Sequence, residues 1–491
     1  MPWLTKSRFL SGLQCPLRLW FEIHSPTEDE SEPGVGILQG LSFDEVVRGL
    51  HPGVVISREA GMPAAIDESA RLMASGTGSP TLLYQPAIQA GDLTIIADIL
   101  RRSGNGFELT EVKATTGVKE RHIADAAFQT LVLRQAGISV PRVFIGHVNN
   151  QFILNRDGDY DGLMVETDVT DEVMAYLPTA AALADEFRQV MSDTGAPDVD
   201  VGPHCFTPYE CPFVSRCHGT LPAGPDYPVE SLPRGGKMMQ ALIDEGYVDL
   251  REIPEGRLTG EMHMRVRQAT ISGVAYFDAA ATADLRKLNF PFTYLDFETI
   301  GFAVPEVIGT RPYEQLPFQW SVHVEASQTE MRHAEYLAIE SFGEFQTLAA
   351  ALIAAVPVAG PVFAYNSGFE GRVLERLAEL LPAHAAALRA IAARLVDLLP
   401  VARAAYYHRD MQGSWSIKSV MPTIDETLSY EHLEEVREGD GAQTAFLELR
   451  GAEIEPDRAE ELREALLKYC KHDTWVMVVL KRFLCGEALT L

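Results

Sequence analysis

Apolar positions alternate with polar ones at strand spacing through residues 95–113, IIADILRRSGNGFELTEVK, on both sides of a turn at 103–106. The pattern predicts a hairpin with Asp98 at the end of its first strand and Glu111 and Lys113 on its second. Residues 81–90 and 92–100 pattern as strands, 140–149 as a further strand, and 152–161 as its turn-rich continuation. A helix after the hairpin carries Asp125, Phe128 and Gln129. Near the start, residues 4–23 place Phe9, Leu13, Leu17 and Trp20 near one face of a helix entered through Thr5 or Ser7. Two helices are expected at 170–176 and 179–192, and two more at 235–246 and 258–272. Residues 291–301, PFTYLDFETIG, form an apolar strand with 318–324 as its antiparallel neighbour. The stretch 361–370 reads as strand, turn and the start of a helix with Glu370 in its first turn. The stretch 466–480 reads as a helix on which Tyr469 and Asp473, four apart, share a face.

The chain has 491 residues, too many for one core, and its 46% hydrophobic content supplies two or three domains. The Pro- and Gly-rich run at 219–230 marks a boundary, so the expected division is 1–221, a helical linker at 222–288, and 289–491. Arg257, Arg265 and Arg267 in the linker leave open a helix-hairpin-helix grip on a phosphate backbone or a plain helical spacer. With no run of about twenty apolar residues and no charged-apolar-small leader, neither a membrane span nor a signal peptide is indicated, and a cytoplasmic protein is expected. The net charge of −28 argues against a large basic cradle for nucleic acid. A narrow positive track from Arg101, Arg102, Lys119, Arg121 and Arg134 remains available.

Glu111 and Lys113, two residues apart on a strand, point the same way, with Val112 between them facing the opposite layer. Asp98 and Glu111 suit a hard cation such as Mg²⁺ or Mn²⁺, and the adjacent ammonium can orient an attacking water or stabilise developing phosphorane charge. That implies phosphodiester hydrolysis. The bland alternative is an ion pair on an edge strand. Asp296 and Glu298 repeat the motif, sharing one strand face with Phe297 on the other. Asp397 reads as either an extra acid near them or a local cap. Cys15, Cys205, Cys211 and Cys217 make four soft ligands, suited to zinc (with His204 or His218 as further ligands) or to an iron–sulfur cluster. Reduced loop thiols are the bland alternative, and Cys470 and Cys485 read as buried small hydrophobes. The alternating carboxylates at 157–161 lack EF-hand spacing and read as a solvated hairpin tip.

The Asp98, Glu111-x-Lys113 and Gln129 pattern resembles the PD-(D/E)XK nucleases of the RecB type. The resemblance implies that Asp98 and Glu111 bind metal, that Lys113 takes part in catalysis and that Gln129 supports the site. It also implies a His or Glu ligand on an early helix; in QGLSFDEVVRGL (39–50) no His stands near Leu41, and Glu45 is the substitute. One distant N-terminal cysteine plus a late trio resembles iron–sulfur nucleases of the AddB type. This implies a 4Fe–4S cluster on Cys15, Cys205, Cys211 and Cys217, although the gap between Cys205 and Cys211 is wider than that family's Cys-x-x-Cys. In the second half, Asp-x-Glu, an acid after Tyr-Asn-x-x-Phe, and Tyr-x-x-x-Asp resemble the DEDD exonucleases of the DnaQ type with a ribonuclease-H-like fold. That resemblance implies two metal ions on Asp296, Glu298, Glu370 and Asp473, with Tyr469 orienting water; Glu370 stands where the family usually has Asp. The whole chain resembles a bacterial fusion of α/β class: a PD-(D/E)XK domain with an iron–sulfur staple, a helical spacer and a DEDD domain. The expected function is a Mg²⁺- or Mn²⁺-dependent nuclease with two sites acting on DNA, single-stranded or at ends, in repair, recombination or defence. RNA processing, or a nucleic-acid-binding scaffold with decayed sites, are the alternatives. No Gly-x-x-x-x-Gly-Lys-Ser/Thr loop is present, so unwinding would fall to a helicase or other repair partner.

Overall fold

The computed structural model of the chain describes residues 2–26, 34–74, 81–219, 224–339, 342–433, 436, 438–451 and 454–489, apart from the side chain of His218. Residues 220–223 of the Pro- and Gly-rich boundary run, and His218 as a zinc ligand, lie outside the described residues. The fold is mixed α/β in two compact units, Met1–Pro222 with Phe302–Glu314, and Ala223–Gly301 with Gln315–Leu491.

The first unit runs β1 (Leu4–Thr5), α1 (Lys6–Gln14), α2 (Pro16–His24), α3 (Val35–Leu50), β2 (Val54–Val55), α4 (Met62–Ala74), β3 (Leu82–Tyr84), β4 (Ala87–Ala90), β5 (Leu93–Ile96), β6 (Ile99–Ser103), β7 (Gly106–Lys113), α5 (Glu120–Gln135), β8 (Val143–Val148), β9 (Met164–Asp168), α6 (Thr170–Ser192) and α7 (Val214–His218). A six-stranded sheet has the order β2-β3-β6-β7-β8-β9, and β1-β5-β4 form a small second sheet. β6 and β7 are the expected hairpin, Ser103 opposite Gly106, while β7 and β8 are parallel and joined through α5. Parallel neighbours need such a crossover. It sets α5 against the sheet, with Phe128, Val132 and Leu133 buried beside Leu109 and Ile145.

Five expected elements of this unit differ. The helix at 4–23 is two helices, because Pro16 has no N–H to donate and disfavours helical geometry in the residue before it. Cys15 is accordingly extended, φ −164° and ψ 120°. The strand runs 81–90 and 92–100 are each broken, the first at Gln85, whose φ is +54°, and Pro86, the second at Ala97 and Asp98. Asp98 therefore sits in the bend before β6 rather than at the end of a hairpin strand. The helices at 170–176 and 179–192 are one, α6 continuing through Pro178.

The second unit runs α8 (Gly236–Asp244), α9 (Glu261–Ser272), β10 (Tyr276–Phe277), β11 (Phe292–Ile300), β12 (Leu316–Glu325), β13 (Met331–Leu337), α10 (Phe345–Ala355), β14 (Val362–Ala364), α11 (Gly368–Leu380), α12 (Ala385–Ala392), β15 (Leu395–Asp397), α13 (Leu398–Ala405), β16 (Tyr406–Tyr407), α14 (Ile417–Val420), α15 (Gly439–Leu449) and α16 (Pro456–Cys485). Its sheet order is β13-β12-β11-β14-β15; the first three strands are antiparallel, and β14 and β15 run parallel to β11. Gln319 on β12 donates to the Leu466 carbonyl of α16, and Phe318 stacks on Phe446 of α15 at 4.1 Å. The stretch expected as a separate spacer, 222–288, falls in this unit from Ala223 onward: Val266 and Ala269 of α9 are buried, and β10 pairs with β16. Its arginines are engaged internally. Arg257 pairs with Glu245 at 2.6 Å, Arg265 donates to the carbonyls of Arg403 and Ala404, and Arg267 donates to that of Ile253. Among the described residues, no helix is long and apolar enough to cross a membrane.

Candidate active sites

In the first unit β7 presents Glu111 and Lys113 on one face, as strand alternation requires, and α5 brings Asp125 and Gln129 to them one helical turn apart. Lys113 Nζ lies 2.5 Å from Glu111 Oε1 and 2.6 Å from Asp125 Oδ2. Gln129 Nε2 donates to Glu111 Oε2 at 2.6 Å and to Asp125 Oδ1 at 2.8 Å. Asp98 accepts from the Val112 backbone N–H at 2.7 Å, so the bend before β6 is pinned to β7. Lys6, the first residue of α1, also reaches Glu111 Oε1, at 2.7 Å.

Glu45 is exposed and is not part of this group. The acid that α3 supplies is its neighbour Asp44, half-buried, accepting from Gln85 Nε2 at 3.0 Å and electrostatically coupled to Glu111 and Lys6. Helical phase explains the difference. Phe43 and Val47 are the buried positions of α3, Asp44 borders their stripe, and Glu45 lies another 100° around. The expected basic track is also thinner than the sequence suggested, since Arg101 pairs with Glu166 and Arg102 donates to the carbonyls of Leu72 and Met73.

The carboxylates share their charge unequally. Burial and Glu111 push Asp98 up to about 8 against the pull of Lys6 and Lys113. Burial would push Glu111 up too, but Lys113 and Lys6 outweigh it and hold that carboxyl well below its usual range. Burial likewise pulls Lys6 down, and the carboxylates of Asp125, Asp98 and Glu111 reverse it. Gln129 Oε1, in a fully buried side chain, has no partner in the protein. The ligand atoms of Asp44, Asp98 and Glu111 do not lie within 4.8 Å of one another; their hard oxygens and the orphaned Gln129 acceptor are the donor chemistry that would suit a Mg²⁺ or Mn²⁺.

The four cysteines of the same unit come together. Cys15 caps α1, Cys205 and Cys211 lie in the loop after α6, and Cys217 is in α7; all four line one small cavity with Phe21, Phe213 and His204. Cys211 N–H donates to the Cys205 carbonyl at 2.7 Å. Burial pushes the Cys211 and Cys217 thiols up, and the neighbouring thiols add to the effect. All four are free thiols. Among the described residues, no three of these sulfurs lie within 4.8 Å of one another.

In the second unit, β11 presents Asp296 and Glu298 on one face opposite Ser321 and Gln319, with a register shift immediately after Glu298. Such a shift re-aims the end of a strand beside a site. α16 brings Tyr469, Cys470 and Asp473 over that face, and the first turn of α11 brings Glu370. Oxygens of Asp296 and Glu298 and the Cys470 sulfur lie within 4.8 Å of one another, Cys470 Sγ being 3.9 Å from Asp296 Oδ2. Cys470 is therefore not merely a small hydrophobe. Asp473 accepts hydrogen bonds from Tyr430 and Tyr469. Lys418 Nζ stands 5.1 Å from the Tyr430 ring and 5.2 Å from that of Tyr469. Asp397 caps locally, accepting from the backbone N–H groups of Asn366 and Leu399, each at 3.0 Å, and its charge also bears on Glu370.

All four acids are pushed up. For Asp296 burial leads, followed by Asp473, Glu298 and Glu370; for Glu298, burial and then Asp473. Burial takes Glu370 to about 8, and takes Asp473 to about 6 against the Tyr430 hydrogen bond. Glu370 Oε2 is buried without a partner. Concentrated carboxylates with an orphaned oxygen fit divalent cations. A pH dependence follows. The folded chain keeps protons that the unfolded chain has released, so these groups contribute stability below about pH 4 that is lost as pH rises through about 6 for Asp473 and about 8 for Glu370. Divalent ions bound at these carboxylates would replace those protons. The gain in Tm on adding Mn²⁺ should be larger at about pH 8 than at about pH 6; equal gains would mean that the ions bind elsewhere.

A family described as a domain of unknown function (DUF2779) matches residues 293–416. The match takes in Asp296, Glu298 and Glu370 and stops before Lys418, Tyr430, Tyr469 and Asp473. No curated protein gives a match.

Proposed function

We propose that the chain is a Mg²⁺- or Mn²⁺-dependent nuclease with two hydrolytic sites, acting on DNA. The observation that carries this reading is the convergence of Asp296 and Glu298, Glu370 and Asp473 from three elements distant in sequence, with a buried Glu370 oxygen left without a partner. The sheet order, with β11 central, β12 and β13 antiparallel to it and β14 and β15 parallel, supports a ribonuclease-H-like reading of the second unit. In the first, β3-β6-β7-β8 with α5 between the parallel pair supports a PD-(D/E)XK reading. At either site water adds to a phosphodiester phosphorus and one ester P–O bond breaks, giving a phosphate monoester and an alcohol. Bound divalent ions supply Lewis acidity to the attacking and departing oxygens. The residues orient: Tyr469 and Tyr430 fix Asp473, Lys113 sits at the carboxylates of Glu111 and Asp125, and Gln129 holds both of those acids.

The test is hydrolysis of end-labelled single- and double-stranded DNA and RNA with Mn²⁺, then with chelator. Chelator-sensitive loss of DNA label is expected. Cleavage of RNA alone would redirect the reading to RNA processing, and binding without cleavage would leave a scaffold.

We further propose that the cysteines hold a 4Fe–4S cluster. Protein purified without oxygen should be brown, with broad visible absorbance; colourless protein with one zinc per chain would overturn this. Cys15→Ser should lower the Tm of the first unit, since Cys15 comes from the N-terminal helices and the other ligands from the unit's far end.

A further inference from the structure

Lys6 lies in none of the motifs, yet it is built into the first site. Its helix is fixed at three points. β1 pairs with β5, the Thr5 side chain caps α1 by accepting from Arg8 N–H, and Phe9 stacks on Phe128 at 4.3 Å, between Asp125 and Gln129 in α5. The ammonium is thereby delivered to Glu111 Oε1, the oxygen that already accepts from Lys113. Lys113 has a second carboxylate anchor in Asp125.

We propose that Lys6 is the resident second cation of this site, standing where a second divalent ion would otherwise bind, so that the first site takes one Mg²⁺ or Mn²⁺ while the Asp296 site takes two. The inference rests on the nuclease reading given above. Charge carries it. Counted as ionised, the first site gathers Asp44, Asp98, Glu111 and Asp125 against Lys6, Lys113 and Arg48, which pairs with Asp44 at 3.5 Å, leaving one negative charge, which one divalent ion more than covers. The second gathers Asp296, Glu298, Glu370 and Asp473 with Lys418 as the cation coupled to them, leaving three, which one divalent ion does not cover. Geometry agrees. Glu111 Oε1 holds two ammonium groups and Oε2 holds the Gln129 amide, so this carboxylate has no free side on which to bridge two metals. A lysine ammonium is a compact point charge with three donors, able to take that position without exchanging with solvent.

The test counts ions. In the full chain carrying Asp296→Asn and Asp473→Asn to silence the second site, Mn²⁺ is titrated and bound ions are counted by electron paramagnetic resonance. The ions that belong to the first site are those lost on adding Glu111→Gln. One such ion is expected with Lys6 intact, two with Lys6→Ala, and one with Lys6→Arg, which keeps the charge. Should Lys6→Ala fail to fold, Lys6→Met, which keeps the apolar stem, replaces it. Two ions with Lys6 intact, or one ion after its charge is removed, would overturn the inference while leaving the site a metal site. If Glu111→Gln removes no ion in any background, the nuclease reading of this site falls, and the inference with it.

Discussion

Asp296→Asn should cost the hydrolysis proposed for the second unit at least about a hundred-fold in turnover, because changes to the partners that merely orient metal ligands already cost about 10- to 100-fold. Asp296 is central: the charges of Asp473, Glu298 and Glu370 all bear on it, and the Cys470 sulfur lies 3.9 Å away. The Asn side chain keeps the shape and removes the anionic donor, so the loss reads out the cation rather than the packing. Tyr469→Phe is the calibrating variant. It removes one hydrogen bond to Asp473, worth about 1 kcal/mol, and should slow turnover only about five-fold. Single-turnover decay of a labelled strand in Mn²⁺ measures both. Near-equal rates for Asp296→Asn and the unaltered chain would remove the second unit from the chemistry.

How far the sequence carried can be judged residue by residue. β11, β12, β14, the start of α11 and the middle of α16, expected only over 466–480, were legible from their apolar runs and periods, and strand alternation alone put Asp296 with Glu298 and Glu111 with Lys113 on shared faces. The breaks were harder. Cys15 leaves its helix because of Pro16, a local signal that the amphipathic pattern around it masks. Asp125 could have been found, since it lies four residues before Gln129 on one helix face. Asp44 could have been preferred to Glu45 from the phase of Phe43 and Val47. Lys6, Lys418 and Tyr430 could not. Each reaches its site through tertiary packing: Lys6 through the Phe9–Phe128 stack, Tyr430 through a loop whose only sequence mark is a Ser cap, and Lys418 from a single short helical turn.

Lys113→Ala should abolish metal-dependent cleavage by the first unit while leaving the second unit's activity within about two-fold, because each set of carboxylates is assembled within its own unit. The expected loss, about a hundred-fold or more, exceeds that of an ordinary ion pair, since Lys113 is held between Glu111 and Asp125 in a buried network and is the cation nearest both. Stability pulls in the same direction and has to be separated. Removing one partner of a buried charge network leaves uncompensated carboxylates, at about 3–5 kcal/mol, and the first unit of Lys113→Ala will melt earlier. Lys113→Arg resolves the two effects. It restores the charge and the fold but replaces a point ammonium with a planar fork that cannot take the same position between Glu111 Oε1 and Asp125 Oδ2. Activity lost in both variants, with the Tm recovered only in Lys113→Arg, assigns Lys113 to the chemistry. Activity that returns together with the Tm would make Glu111 and Lys113 the structural ion pair that an isolated Glu-x-Lys on a strand most simply is, and hydrolysis by the chain would then belong to the Asp296 site alone.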